Sequence, residues 1–581
     1  MIDPVSLILR RASDQLSQNR LVVDFYRIRR RLAYPLPVRE ESFPEFPTRL
    51  GTWYPWDCWL AWAIEERVWN LGWAGTWNED QNYRNAVEQD LCGLATWKYA
   101  CPDQIDGLAV AHFVRTLIHA ARHWPWLSAE TRNQIDQGLK YQLAFFSDWL
   151  AAEHRWWQRR KQEPNHEDFA SPLHNIHFIQ TVGLCLAARW VGHADAHRLE
   201  SRTSAFCKAL LDQHAGGVSE GVGYDGYILD FMMDWLQGAP ANPANAILSH
   251  TELEMMLDQS AIMAAPGNVS EVAKLGDVEP LEMPFHISAL AKYRRIRSNL
   301  RWDWLLDRYD PSRMRTEALM ALKEGPALNR TMEPAAGSAT RCARVLRSGW
   351  TVEDLAVAVS VHQGRMGHLH FDNGSIVIAA GGNWMIDDPG YQQYMPTSER
   401  EFSAGADAHN APLPDGHPQS ARAGAVAHEP MRRENIWKTT IDLTGCYDNS
   451  IALCRRHLWL VDRRMVVVAD EVKGDFSKVG YHWHGHPRAA WWAQDGLALV
   501  YLDRTELWIR CMSQKLQQNQ IDRRRGSRGQ LTLCASIDRG ASNVIWWVFG
   551  VDRQLIDRVV LDGDQLSATA EPWRLCCENE Q

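Results

Sequence analysis

No window of this 581-residue chain approaches the roughly 18 consecutive apolar residues that a membrane-spanning helix needs, so a membrane span is not expected. The first twenty residues lack a basic region followed by a long apolar one. Their one apolar run, residues 5–9, is too short for a secretory signal. As given, the chain reads as cytoplasmic, or as periplasmic had a leader been removed. The 12 cysteines are scattered, with no CxxC motif and only Cys576 and Cys577 adjacent. Zinc-finger spacing and a disulfide framework are thereby excluded, and reduced structural thiols are expected. An excess of basic residues is also missing: 62 Lys and Arg stand against 71 Asp and Glu, a formal net charge of −9. That balance argues against a general nucleic-acid binder, although a local basic cleft could still take an acidic sugar. No fixed-period repeat and no low-complexity tract occur, and nothing reports on oligomeric state.

What is abundant is tryptophan. The chain has 28 Trp against 15 Tyr and 15 Phe. Large aromatics are mostly core residues, but flat faces also stack on sugar rings, so the excess favours a carbohydrate partner weakly. Hydrophobic content of 45% and charged content of 23% are those of a globular protein, and the length predicts two or three domains. To about residue 325 the pattern is helical: residues 133–153 and 178–190 place apolar side chains three and four apart, and 312–323 is the last strong helical pattern. Several such helices predict an all-α bundle or toroid. From about residue 340 short apolar runs alternate with turn residues, at 355–361, 375–380, 451–454, 465–469, 497–502 and 542–549. These predict an antiparallel β-sandwich. The fold class is therefore α+β in two domains, 1–325 and 338–581, joined by a linker at 325–337.

The segment 367–390, GHLHFDNGSIVIAAGGNWMIDDPG, concentrates chemistry. His368 and His370 alternate and would share one face of an extended strand, which Asp372 would continue. A second strand after the Gly-Gly turn would bring Asp387 or Asp388 back toward them, and His409-Asn410 follows. Two or three imidazoles with a carboxylate on a rigid sheet suit Zn²⁺.

In this order and spacing, His-Leu-His-Phe-Asp, Asp-Pro-Gly and His-Asn resemble the C-terminal module of heparinase II/III-like polysaccharide lyases. The segments Arg347-Ser348-Gly349-Trp350 and 463–472 (RRMVVVADEV) are similar to it too, so the likeness spans about residues 340–490. The resemblance implies an N-terminal (α/α) toroid and β-elimination on a uronic-acid-containing polysaccharide. It implies a structural zinc held by His370, Asp388 and His409, with His368 facing the substrate. In the toroid, residues 171–187 resemble the family's Asn-bearing helix start, and Asn175 would bind the substrate carboxylate. Members often carry His directly after this Asn. Here Ile176 stands there, flanked by His174 and His177, which leaves His177 as a candidate catalytic histidine. Residues 216–227, GGVSEGVGYDGY, resemble the family's Glu-Gly…Tyr loop; Tyr224 matches the catalytic tyrosine best and Tyr227 is the alternative.

Elimination needs a base for the C5 proton, an acid for the leaving O4 and a group that neutralises the carboxylate. Tyr224 and His368 are the candidates for acid and base, and Asn175 with a histidine for the carboxylate. Two other classes remain. A glycoside hydrolase would need two carboxylates flanking a cleft, and Glu220 and Asp225 are near Tyr224. A non-catalytic glycan-binding protein would keep the fold alone.

Overall fold

The computed structural model describes residues 3–18, 20–25, 28–33, 56–96, 106–151, 175–278, 285–297, 300–328, 337–363, 368–390, 398–420, 424–494, 496–523, 530–540, 543–569 and 571–577. His174, Gly367 and residues 329–336 of the expected linker lie outside these.

Helices Trp56–Trp77, Asp106–His123, Asn175–Val191, Val222–Leu236, Phe285–Ile296 and Thr316–Glu324 each pack on the next, and the last returns to the first. This closed ring is the inner layer of an (α/α) toroid. Asn175–Val191 and Val222–Leu236 are buried on nearly every side, as inner helices must be. Outer helices carry one apolar stripe: Ala196–Ala215 buries Leu199, Thr203, Cys207, Leu210 and Leu211 against its inner neighbour. The expected helices at 133–153 and 178–190 are observed as Ala129–Ala151 and Asn175–Val191. The one expected at 312–323 is split into a 3₁₀ turn, Pro311–Arg313, and the helix Thr316–Glu324. The Asp310 side chain caps that turn by accepting from the Ser312 N–H, and Pro311 fixes its first residue. Two strand pairs interrupt the helical region, Arg20–Phe25 with Ile28–Ala33 and Ala264–Ala265 with Asn268–Val272. No helix among the described residues is long and apolar enough to cross a membrane.

The C-terminal part is antiparallel throughout. Strands Gly337–Ala339, Ala343–Arg347, Ala356–Ser360, Ile376–Ala380 and Asn383–Ile386 form a five-stranded meander. A nine-stranded sheet is centred on Ile451–Val461, Met465–Gly474 and Val544–Gly550. Val357, Val359, Ile376 and Ile378 of the meander meet Leu458, Leu460, Val466 and Val468 of the larger sheet in one core. The alternate residues, Val345, Ala356, Ala358, Val377 and Ala379, pack against Val222, Met263, Val272 and Leu275 of the toroid. The meander is thus buried on both faces, which explains its continuous apolar runs.

The run expected at 451–454 extends to Val461, through Arg455, Arg456 and His457. Pattern reading stops at such charges. Arg456 nevertheless lies fully buried, because its guanidinium spans both Asp470 oxygens at 2.7 and 2.8 Å and donates to the Gly374 and Asn410 carbonyls at 2.6 Å each. Among the described residues nine tryptophans, including Trp69, Trp235, Trp384 and Trp546, are fully buried. Packing accounts for these, not sugar stacking.

Candidate active site

The seam between toroid and meander gathers the chemistry. At the toroid end the chain turns through Gly221, at φ +89, into the helix Val222–Leu236. Ser219 donates to the Asp225 carboxylate, and the Glu220 N–H donates to its other oxygen at 3.2 Å. These bonds lock the turn that carries Glu220 and Tyr224. Asp225 also accepts from Gln259 at 3.0 Å, and His214 lies behind it at 3.4 Å. Burial would raise Asp225, but the bonds from His214, Ser219 and Gln259 outweigh that and hold it below the usual range.

From the other side comes His368. The stretch 368–372 is a loop and not the expected strand, yet His368 and His370 do face one group. That group is Asp277, which sequence reading did not single out. Its Oδ2 lies 3.0 Å from His368 Nδ1 and its Oδ1 2.7 Å from His370 Nε2. Arg400 donates to the same Oδ1 at 2.8 Å. Burial would raise the Asp277 carboxyl; Arg400 and the two histidines hold it well below its ordinary range. The Asp277 N–H also donates to the His368 carbonyl at 2.8 Å. Gly276, at φ +76, permits this approach: a Cβ there would come within 2.8 Å of that carbonyl oxygen. The only sequence signal was an acid after glycine in an apolar run, which many turns share.

Asn175 opens its helix and is fully buried. Its backbone N–H donates to Glu220 Oε1 at 2.8 Å, and its Nδ2 lies 2.6 Å from Glu220 Oε2 and 3.1 Å from His368 Nε2. Its Oδ1 has no hydrogen-bond partner among the described residues. Burial pushes the Glu220 carboxyl up to about 7 against the lowering pull of His368 and Asn175. Tyr224, half-buried, stacks face to face on His368, with ring centroids 3.4 Å apart and planes 5° from parallel.

The structure therefore brings Asn175, Tyr224 and His368 together. His177 stands two positions beyond Asn175, about 200° around the helix, and so projects away from Asn175. Tyr227 lies one turn deeper than Tyr224 and is fully buried. Its hydroxyl donates to His112 Nε2 at 2.6 Å, and His112 Nδ1 lies 2.9 Å from Glu65. Burial pushes His112 down to about 4 despite Glu65, so it is neutral with its Nδ1–H on the carboxylate.

The expected zinc donors are divided. His409 Nδ1 contacts Asp388 Oδ2 at 2.8 Å, and the His370 and His409 ring centroids are 5.3 Å apart. Asp387, the other acid brought back by the second strand, pairs with Lys274. Asp372 turns to His362 Nε2 at 2.8 Å. Three buried atoms here lack a partner among the described residues: His370 Nδ1, His409 Nε2 and Asp372 Oδ2. These orphaned imidazole and carboxylate atoms suit a cation in donor chemistry, but the Asp388 oxygens are engaged with Ser375, Gly390 and His409, and no three of these donors lie within 4.8 Å of one another.

A second acidic group lies deep in the toroid, where oxygens of Asp230, Asp234 and Glu317 come within 4.8 Å of one another. The Lys292 ammonium sits 2.8, 2.7 and 2.7 Å from these three, and Arg115 approaches them from the other side at 2.6, 3.0 and 3.5 Å. The charge a metal would supply is supplied by the chain.

Residues 344–562 match the family described as heparinase II/III-like, C-terminal. No curated protein matches the chain. Among solved structures, heparinase III is similar over 98% of this chain and 90% of its own, with TM-score 0.65 and 12% identity. A heparinase III with methylated lysines gives TM-score 0.55 at 13% identity over 98% and 90% of the two chains. A mutant of the heparan sulfate lyase HepC from Pedobacter heparinus gives 0.54 at 12% over 94% and 82%. These likenesses establish the shared architecture of toroid and β-sandwich.

Proposed function

We propose, from the premise that residues 344–562 are a heparinase II/III-like C-terminal domain, that this chain is a polysaccharide lyase cleaving uronic-acid-containing glycans by β-elimination. The observation that carries the reading is the contact of Tyr224 and Asn175 of the toroid with His368 of the β-domain at one buried seam. The functional division of the chain is 1–325, supplying Asn175 and Tyr224, and 338–581, supplying His368.

The uronate carboxylate acidifies its neighbouring C5–H. A base removes that proton, the electron pair forms the C4–C5 double bond, and the C4–O4 bond breaks as O4 takes a proton from an acid. Tyr224 and His368 divide these two roles. Asp277 fixes the His368 ring through Nδ1, so Nε2 faces Asn175 and the seam. Asn175 meets the carboxylate, whose charge grows on the enolate-like intermediate. The hydrolase alternative loses support, because Asp225 is enclosed by Ser219, Gln259 and His214 rather than facing a second carboxylate across a cleft.

The test is incubation with heparan sulfate, alginate and other uronate polymers. An unsaturated product absorbing in the near ultraviolet is expected. New reducing ends without that absorbance would identify a hydrolase, and binding without product a glycan-binding protein.

Zinc would be held by His370, Asp388 and His409, where it would pin the β-domain loops beside His368. Protein purified without chelator is expected to contain about one zinc per chain by elemental analysis, the stoichiometry of a single closed structural site. His409→Ala is expected to lose the zinc and to melt at a lower temperature. Wild-type protein free of zinc, with a melting temperature unmoved by added zinc, would overturn this assignment.

A further inference from the structure

The Asn175 carboxamide faces the wrong way for its task. To hold a carboxylate it must present N–H, yet its Nδ2 is turned inward, 2.6 Å from Glu220 Oε2 and 3.1 Å from His368 Nε2. The atom left over is Oδ1, buried and without a partner among the described residues. An acceptor there repels a carboxylate. The inward orientation is nevertheless the one an ionised Glu220 demands, since its oxygens can only accept.

We propose that Glu220 is the positioning residue for Asn175: carrying a proton, it turns the carboxamide outward so that Nδ2 donates to the substrate carboxylate, and losing that proton it draws the amide back in. The inference rests on the lyase reading and names the device that makes Asn175 competent.

The geometry provides for both states. Glu220 Oε1 accepts the Asn175 backbone N–H at 2.8 Å in either one, which leaves Oε2 as the oxygen that holds the proton. In the outward state Asn175 Oδ1 occupies the inner position and accepts the Oε2–H. Protonation of Glu220 thus turns the amide toward the ligand and removes a buried negative charge beside it, both of which favour an anionic ligand. Binding of an acidic substrate is accordingly coupled to proton uptake.

The groups facing Glu220 can be named. On its own loop Asp225 disfavours ionisation, with His214 behind it. From the helix Asn175–Val191 the neutral Asn175 reaches it. From the β-domain His368 Nε2 stands 3.4 Å away, backed by Asp277 and Arg400. Burial outweighs the lowering pull of His368 and Asn175 and sets the titration near neutrality, at about 7.

The test uses the full chain and a uronate polymer that it cleaves. For wild type, KM should rise about tenfold per pH unit above about 7, the slope of one proton, while kcat changes less. Glu220→Gln imitates the protonated acid: its amide donates to Asn175 Oδ1 and its carbonyl accepts the backbone N–H. Its KM should stay flat over the same range, whereas Glu220→Ala should have a high KM at every pH. A Glu220→Gln profile that keeps the wild-type rise would overturn the proposal. A second readout needs no substrate. The infrared difference spectrum of wild type minus Glu220→Gln should show the band of a protonated carboxylic acid that is lost as pH rises through about 7, a band distinct from that of Glu317, which titrates higher and is common to both proteins. Absence of that band in wild type would overturn the proposal even where activity is found. Failure of every uronate polymer to yield product would sink the lyase reading, and the band would still decide the Glu220 proton.

Discussion

Tyr224→Phe is expected to lower kcat on a uronate polymer by about 10²–10⁴-fold while leaving the fold intact. The change removes one hydroxyl oxygen and keeps the ring, so the stack on His368 at 3.4 Å persists and His368 stays on Asp277. What goes is the hydroxyl that the proposed mechanism uses for proton transfer. Tyr227→Phe is the matched control. It removes the same atom one helical turn deeper, where the hydroxyl donates to His112 Nε2. That deletion should cost about 1 kcal/mol of stability, the net worth of a buried hydrogen bond, with little effect on kcat. Kinetics and thermal melts on both variants separate the roles. Equal losses of kcat in the two, or an active Tyr224→Phe, would remove Tyr224 from the chemistry. His368→Ala should also be inactive, but it strips Asp277 and Asn175 of a partner and so speaks less cleanly.

The second large effect concerns stability. Lys292→Met should destabilise the protein by about 3–5 kcal/mol, the usual cost of removing one member of a buried ion cluster. The Lys292 ammonium is fully buried and lies within 2.8 Å of three carboxylates. Their mutual repulsion is already visible: burial, and the neighbouring Asp234 and Asp230, push Glu317 up to about 8 even with Lys292 and Arg115 beside it. Without the lysine only Arg115 would offset three acids, and more of them must bind protons to remain buried. The folded state of the variant then holds more protons than the unfolded chain near neutrality, so its stability should fall further as pH rises. Chemical denaturation at two pH values measures both effects. A variant as stable as wild type would mean that the cluster relaxes or takes up a solvent cation.

The helical half was legible because residues 133–153 and 178–190 space their apolar side chains three and four apart, while the toroid rather than a bundle came from motif likeness. The meander was legible from the short apolar runs at 355–361 and 375–380. Charges inside strands were not, since the pairing that makes Arg456 tolerable belongs to Asp470 on the neighbouring strand. At the site, Asn175, Tyr224 and His368 came from motif likeness, and the structure brings them together. Asp277 and Arg400 did not, because single acids and bases in loops look alike until folding supplies their partners. Glu220 was read as half of a hydrolytic pair. Its bonds to Asn175 cross 45 residues, and no local spacing reports them.

The seam also has a meaning in time. Asn175 and His368, whose nitrogens meet at 3.1 Å, are 193 residues apart in the chain. A ribosome making this protein finishes the toroid helices before the β-strands that cover them, and until then Val222, Met263 and Leu275 have no partner sheet. A chain that stops short of the meander therefore holds Tyr224 and Asn175 without His368. On the proposed reading, activity would begin only once the meander has been made and has docked on the toroid.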